Sequence, residues 1–120
     1  MDFQLEFYRT LAGECPALDY IRTQVRAHQA KIGRALRFLE EAGYQARRPE
    51  VDYVGDGIYE LRVPIQHHQH RLLYFFRGRT IIVVADGFLK NEDRIPFAIL
   101  ERAKRRRQDW LQRFGAENES

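Results

Sequence analysis

Residues 3–8 alternate, with Phe3, Leu5 and Phe7 on one side and Gln4 and Glu6 on the other. A period of two predicts a half-buried strand. Pro16 then stands where a helix can start, because the first turn makes no use of its missing N–H. Leu18, Ile21, Val25, His28, Ile32, Leu36 and Leu39 recur at spacings of three and four and run on to Gly43, a good left-handed helix terminator. The stripe fits one helix over 16–42 or two short helices broken near 26, and a bent pair suits so small a chain better. Residues 44–56 are polar and contain Pro49, Gly55 and Asp56, which reads as loop and turn.

A β pattern follows. Tyr59, Leu61, Val63 and Ile65 alternate with Glu60, Arg62 and Gln66, and Leu72–Phe76 and Ile81–Val84 are continuous apolar runs suited to strands covered on both faces. The short connections, 66–70 and 77–79, fit antiparallel hairpins. Pro64 cannot donate to a ladder, so it belongs at an edge or beside a bulge. Pro96 opens a last helix with Ile99, Leu100, Ala103, Trp110 and Leu111 on one face and Arg102, Arg105, Arg106 and Gln112 largely elsewhere. Residues 115–120 read as a frayed polar tail. The order is strand, helical region, three-stranded meander, helix: an α+β chain with a mainly antiparallel sheet.

Its 120 residues suit one domain, 1–120, and exclude repeat arrays and large cofactor folds. No apolar run approaches the ~20 residues that cross a bilayer, and the acidic, alternating N-terminus is not a signal peptide. These features predict a soluble cytoplasmic protein with no membrane partner. Cys15 stands alone, which excludes an internal disulfide and reads as packing.

The net charge of +3 hides an asymmetry. Residues 1–60 carry 8 Lys+Arg against 10 Asp+Glu, and residues 61–120 carry 12 against 7. The excess is mostly arginine, whose planar fork matches phosphate oxygens, so an anionic partner or a solvated charged face is expected. No glycine-rich phosphate loop, H-E-x-x-H or C-x-x-C occurs. His67, His68 and His70 lie close in sequence, but hairpin histidines without Cys or acidic partners make a poor zinc site, so neither metal nor cofactor is expected. Arg62 lies on the strand face opposite Tyr59, Leu61 and Val63. Antiparallel pairing can bring Arg71 beside it, and Lys90 follows the last strand of the meander. Together they can form a cationic depression, with Tyr74 as a stacking or hydroxyl group, or they can be structural ion pairs with Glu60 or Glu101.

Four segments carry a resemblance. Gly57–Val63 is similar to the G-x-Y-E-L-R strand of RelE-type toxins, and His70–Phe75 to the x-R-x-x-Y strand after it. Asp86–Asn91 resembles their H-G-F-x-K-K segment, and Pro96–Trp110 their P-x-x-x-I-x-x-A-x-x-R helix. The order and spacing also match, over residues 3 to about 113. The likeness falls nearest the phage-derived, HigB-like branch of the RelE/ParE superfamily of type II toxin–antitoxin systems.

The resemblance implies a RelE-like fold, with N-terminal helices packed on a small sheet and a C-terminal helix. It implies a metal-free endoribonuclease that binds the ribosome, cuts mRNA through attack by the ribose 2′-hydroxyl, and is blocked by an antitoxin, often a small helix-turn-helix protein. Carried over by position, Arg62 and Arg71 would hold the scissile phosphate. Lys90 would stabilise charge or move a proton, and His70 or His67 would be an alternative acid or base. Tyr74 would contact RNA or lie in the sheet core, and Lys104, Arg105 and Arg106 would contact RNA or ribosome, anchor an acidic antitoxin segment, or form a solvated helix face. Asp86 stands where the family segment has His, and Asn91 where it has a second Lys. These departures keep a non-cleaving relative in view: a ParE-like DNA gyrase inhibitor, or an inactive homologue that binds only its antitoxin.

Overall fold

A computed structural model describes residues 2–91 and 93–115. The chain runs β1 (Gln4–Phe7), α1 (Pro16–Arg22), α2 (Arg26–Ala42), a 3-10 turn (Gly43–Gln45), β2 (Val51–Gly55), β3 (Ile58–Ile65), β4 (His68–Arg77), β5 (Ile81–Leu89) and α3 (Phe97–Phe114). The five strands form one mixed sheet in the order β1-β5-β4-β3-β2. β1 pairs parallel to β5 and every other pair is antiparallel. This α+β architecture, with two N-terminal helices on the sheet and a C-terminal helix, is compatible with the expected RelE-like fold.

The helical stripe divides into two helices at Thr23–Val25, and α2 buries Ile32, Leu36 and Leu39. It stops at Gly43, whose φ is +52° and whose Cα touches the Phe3 ring so closely that a Cβ would lie 1.9 Å from it. Both constraints require glycine there.

The sheet separates two apolar layers. Tyr74, Leu72, Leu61, Val63, Ile82 and Val84 pack with the α1–α2 side. Ile58, Leu73, Phe75, Val83 and Phe88 pack with Ala103 and Trp110 of α3, against which Ile99, Leu100 and Leu111 also rest. Burying one such aliphatic or aromatic side chain contributes about 1.5–3 kcal/mol before entropy is set against it.

Two expectations change. Val51–Gly55, read as loop, is a strand antiparallel to β3 in which Val51 and Val54 supply apolar contacts to opposite layers. The meander therefore has four strands, and the first of the expected hairpin connections shrinks to Gln66–His67. The second difference lies in β5. Leu73 pairs with Asp86 but Tyr74 pairs with Val84, so Ala85 is an extra residue. This bulge shifts the alternation, and Ala85 and Asp86 both turn toward α3. Pro64 behaves as expected: β2 last pairs at Val51 with Leu61, so Pro64 sits on an edge with no strand to donate to.

Candidate functional site: a cationic group around Glu60

Strand alternation puts Glu60 and Arg62 on the face of β3 that carries Ile58, the α3 side. Arg62 is the direct cross-strand partner of Arg71. Lys90 comes to the same group because the Ala85 bulge sets Asp86, Phe88 and Lys90 in step on that face, and because its N–H donates to the Gln69 carbonyl at 2.8 Å. Three cations so close would repel one another. Glu60 stands between them, 1% exposed: Oε1 accepts from Nε of Arg62 at 3.2 Å, and Oε2 lies 3.3 Å from Nε of Arg71 and 3.6 Å from Nζ of Lys90.

The contacts at Oε2 are ion pairs without hydrogen-bond alignment. Neither Glu60 Oε2 nor Arg71 Nε has a hydrogen-bond partner, although both atoms are buried. Burial lowers the Arg71 pKa from its usual value, with Glu60 opposing the shift. A second carboxylate, Asp52, accepts from Arg62 at 3.2 Å and takes both Nε and Nη2 of Arg48 at 3.1 and 3.0 Å. The hydrogen bonds from Arg48 hold its pKa below the usual carboxylate value. The group thus joins four cations to two carboxylates and keeps a positive excess. Two clefts open beside it, one lined by Gln69, Arg71, Lys90, Asn91 and Asp93, the other by Glu60, Arg62, Lys90 and Arg94 among others. Such a place suits an anion with several oxygens: the guanidiniums supply directional donors and the ammonium a point charge.

The remaining candidates lie elsewhere. His70 does not join the group, because it neighbours Arg71 in a strand and so points to the opposite face. It is fully buried there, its Nδ1 2.6 Å from the Tyr20 hydroxyl and its Nε2 2.9 Å from Nδ1 of His28. Desolvation, then His28 and His68, push its pKa below the ordinary imidazole value. His67 is exposed in the β3–β4 turn. Tyr74 is also on the far face, 1% exposed and stacked on Tyr59 at 5.4 Å, and desolvation raises its pKa. Its burial leaves no ring surface for a base.

The basic tract of α3 is not a uniform solvated face. Lys104 bridges Asp56 and Glu101 at 3.0 and 2.9 Å. Arg106 turns inward, contrary to the helical-wheel expectation, donating to the Ala85 carbonyl at 2.9 Å and pairing with Asp86 at 3.3 Å. Arg102 does the same through two hydrogen bonds to Asp86 of 3.0 and 2.6 Å. Arg105 is exposed. Asp86 is therefore neutralised by α3, and its negative charge is directed at Arg102 and Arg106. Among the described residues, no group of three or more His, Cys, Asp or Glu is arranged to hold a metal ion. No described helix is long and apolar enough to cross a membrane.

In the sequence Glu60 reads only as a possible ion-pair partner, and Asp52 and Arg48 carry no mark of a site. The step of two from Glu60 to Arg62 was a usable signal for a shared face. Nothing in the polar stretch before Gly55 announced β2.

Comparison with curated proteins finds no match. The family model described as "Phage derived protein Gp49-like (DUF891)" matches residues 19–108, a span that includes β2 to β5 and every cation of the group. That span is three quarters of the 120 residues, and the chain belongs to the Gp49-like family of phage-derived proteins.

Proposed function

We propose that the chain is one toxin domain of a type II toxin–antitoxin system, on the HigB-like branch of the RelE/ParE superfamily, and that it cuts mRNA on the ribosome in the cytoplasm. The observation that carries this reading is the convergence of Arg62, Arg71 and Lys90 on one buried carboxylate, with the Nε–H of Arg71 left without an acceptor. Membership of a phage-derived family and the four RelE-like segments support it.

In the proposed reaction the ribose 2′-oxygen forms a bond to the adjacent phosphorus and the bond to the 5′-oxygen breaks. The products are a 2′,3′-cyclic phosphate and a 5′-hydroxyl, and the proton lost by the nucleophile is balanced by one gained by the leaving oxygen. Negative charge grows on the phosphoryl oxygens, where fixed guanidinium donors act most strongly because they need no reorganisation. Arg62 and Arg71 bind those oxygens, and Lys90 stabilises the developing charge. Glu60 is the positioning residue that holds the three in place. The buried His70 takes no part in proton transfer at this face.

The reading also implies a cognate antitoxin, a small helix-turn-helix protein, that occludes the cationic group. Expression without it should arrest growth and produce new 5′ ends within translated messages by primer extension. Normal growth with folded protein would contradict the reading, and a DNA-damage response without new 5′ ends would favour gyrase inhibition.

A further inference from the structure

Beyond the cationic group, on the other side of β2, lies a groove of about 470 Å³ lined by Ala46, Arg47, Arg48, Asp52, Tyr53 and Tyr59 among others. Tyr53 is its main feature. The residue is 55% exposed, although large aromatic side chains usually find cover. It is also held in place. Its hydroxyl accepts the Gly57 N–H at 3.0 Å, and one side of the ring rests on Tyr59, its cross-strand partner, at 4.9 Å. A fixed ring with an open face is a platform prepared for a planar group.

Arg47 and Arg48 are both exposed beside it. The groove is continuous with the cationic group through Asp52, whose Oδ2 accepts from Arg48 on one side and Arg62 on the other. An anionic strand bound at Arg62 and Arg71 can thus cross the outer edge of β2 at Arg48 and reach Tyr53.

The geometry points to a nucleobase-binding subsite in which a base of single-stranded RNA stacks on Tyr53 while Arg47 and Arg48 contact the flanking phosphates. The inference rests on the proposed reading of the cationic group as an RNA site. Stacking on aromatic side chains flanked by cations is how single strands are held with little sequence preference. An acidic protein segment would engage Arg47 and Arg48 but makes no use of an open aromatic face, so the groove favours RNA.

The test uses a short single-stranded oligonucleotide with 2′-O-methyl riboses, which cannot be cut by 2′-hydroxyl attack, carrying 2-aminopurine as a stacking reporter. Titration at low salt should show binding with quenched 2-aminopurine fluorescence. Tyr53→Phe should bind within about twofold of wild type, and Tyr53→Leu should weaken binding roughly fivefold or more and lose the quenching. Arg47→Ala, an exposed loop change, should weaken binding and leave the melting temperature unchanged. Arg62→Ala should weaken binding yet keep the quenching in the complex that forms. Binding by Tyr53→Leu equal to wild type, or no binding by wild type, overturns the inference and returns the groove to protein docking. Tyr53-dependent binding by a protein that yields no new mRNA 5′ ends would sink the cleavage reading and leave this subsite standing.

Discussion

Arg62 and Arg71 face each other directly across the β3–β4 pair, and the Glu60 carboxylate lies within 3.3 Å of the Nε of each. Like charges placed opposite each other in an antiparallel pair are destabilising, so the arrangement depends on the buried counter-charge. Glu60→Gln keeps the shape and removes that charge. It should lower folding stability by about 3 kcal/mol, as breaking a buried ion pair does, measured by urea denaturation at pH 7. Added phosphate should recover more stability in the variant than in wild type. Equal stability of the two proteins would mean that the cations need no internal anion.

Asp86 is best understood through its partners. It is 4% exposed and receives Arg102 and Arg106 from α3. Placing the histidine of the similar RelE-type segment here, with Asp86→His, would remove the carboxylate and leave two guanidiniums beside an imidazole. Stability should fall by about 3 kcal/mol, with no gain in growth arrest on expression. A stable Asp86→His protein with stronger arrest would show that the α3 ion pairs are dispensable and that an imidazole at this position serves the reaction.

The buried His70 gives a pH signature. It meets Tyr20 of α1, His28 of α2 and His68 of its own strand. Burial pushes the Tyr20 hydroxyl up to about 12, so it stays protonated throughout the range that matters. Because the folded-state pKa of His70 lies below the unfolded one, the unfolded chain binds the proton first as pH falls. Stability should therefore decline as pH drops below about 6.5, and the loss is complete once pH passes the folded pKa. Thermal melts from pH 7.5 to 5.5 should show this fall in wild type and a flatter profile in His70→Gln. An unchanged slope in His70→Gln would assign the effect to other groups.

Gly87 keeps Tyr20 within reach of His70. A Cβ there would lie 2.5 Å from the Tyr20 ring and 2.9 Å from a Leu72 methyl. Gly87→Ala should cost about 1–3 kcal/mol through overpacking and, by displacing the Tyr20 hydroxyl, should alter the same pH profile. A Gly87→Ala variant as stable as wild type would show that α1 can shift freely on the sheet.

Much of this was legible in the sequence, for physical reasons. Alternation puts Arg62 opposite Leu61 and Val63, and a short hairpin makes Arg71 its neighbour. The same rule applied to His70 and Tyr74, one and three residues from Arg71, already sends them to the other face. Lys90 could not be placed this way, since the extra residue at Ala85 reverses the alternation and only the pairing register reveals a bulge. β2 was hidden because Pro49 and Asp56 flank five residues that alternate too briefly and end on Gly55. Arg48 and Asp52 went unnoticed with it. Arg102 and Arg106 read as a solvated face because a helical wheel records direction and not side-chain reach; both are long enough to turn back to Asp86.

The central claim is that Arg62, Arg71 and Lys90 form a phosphate-binding group that cuts ribosome-bound mRNA. Its most direct test is primer extension on a defined message, with purified ribosomes and purified protein, comparing wild type with Arg62→Ala at matched thermal stability. Because Arg71 and Lys90 remain on Glu60, Arg62→Ala should stay folded. Wild type should generate new 5′-hydroxyl ends that vanish when a 2′-deoxy nucleotide precedes the scissile phosphate, and Arg62→Ala should cut on the order of 10²–10³ more slowly. Absence of ribosome-dependent ends from wild type, or equal cutting by folded Arg62→Ala, would contradict the claim.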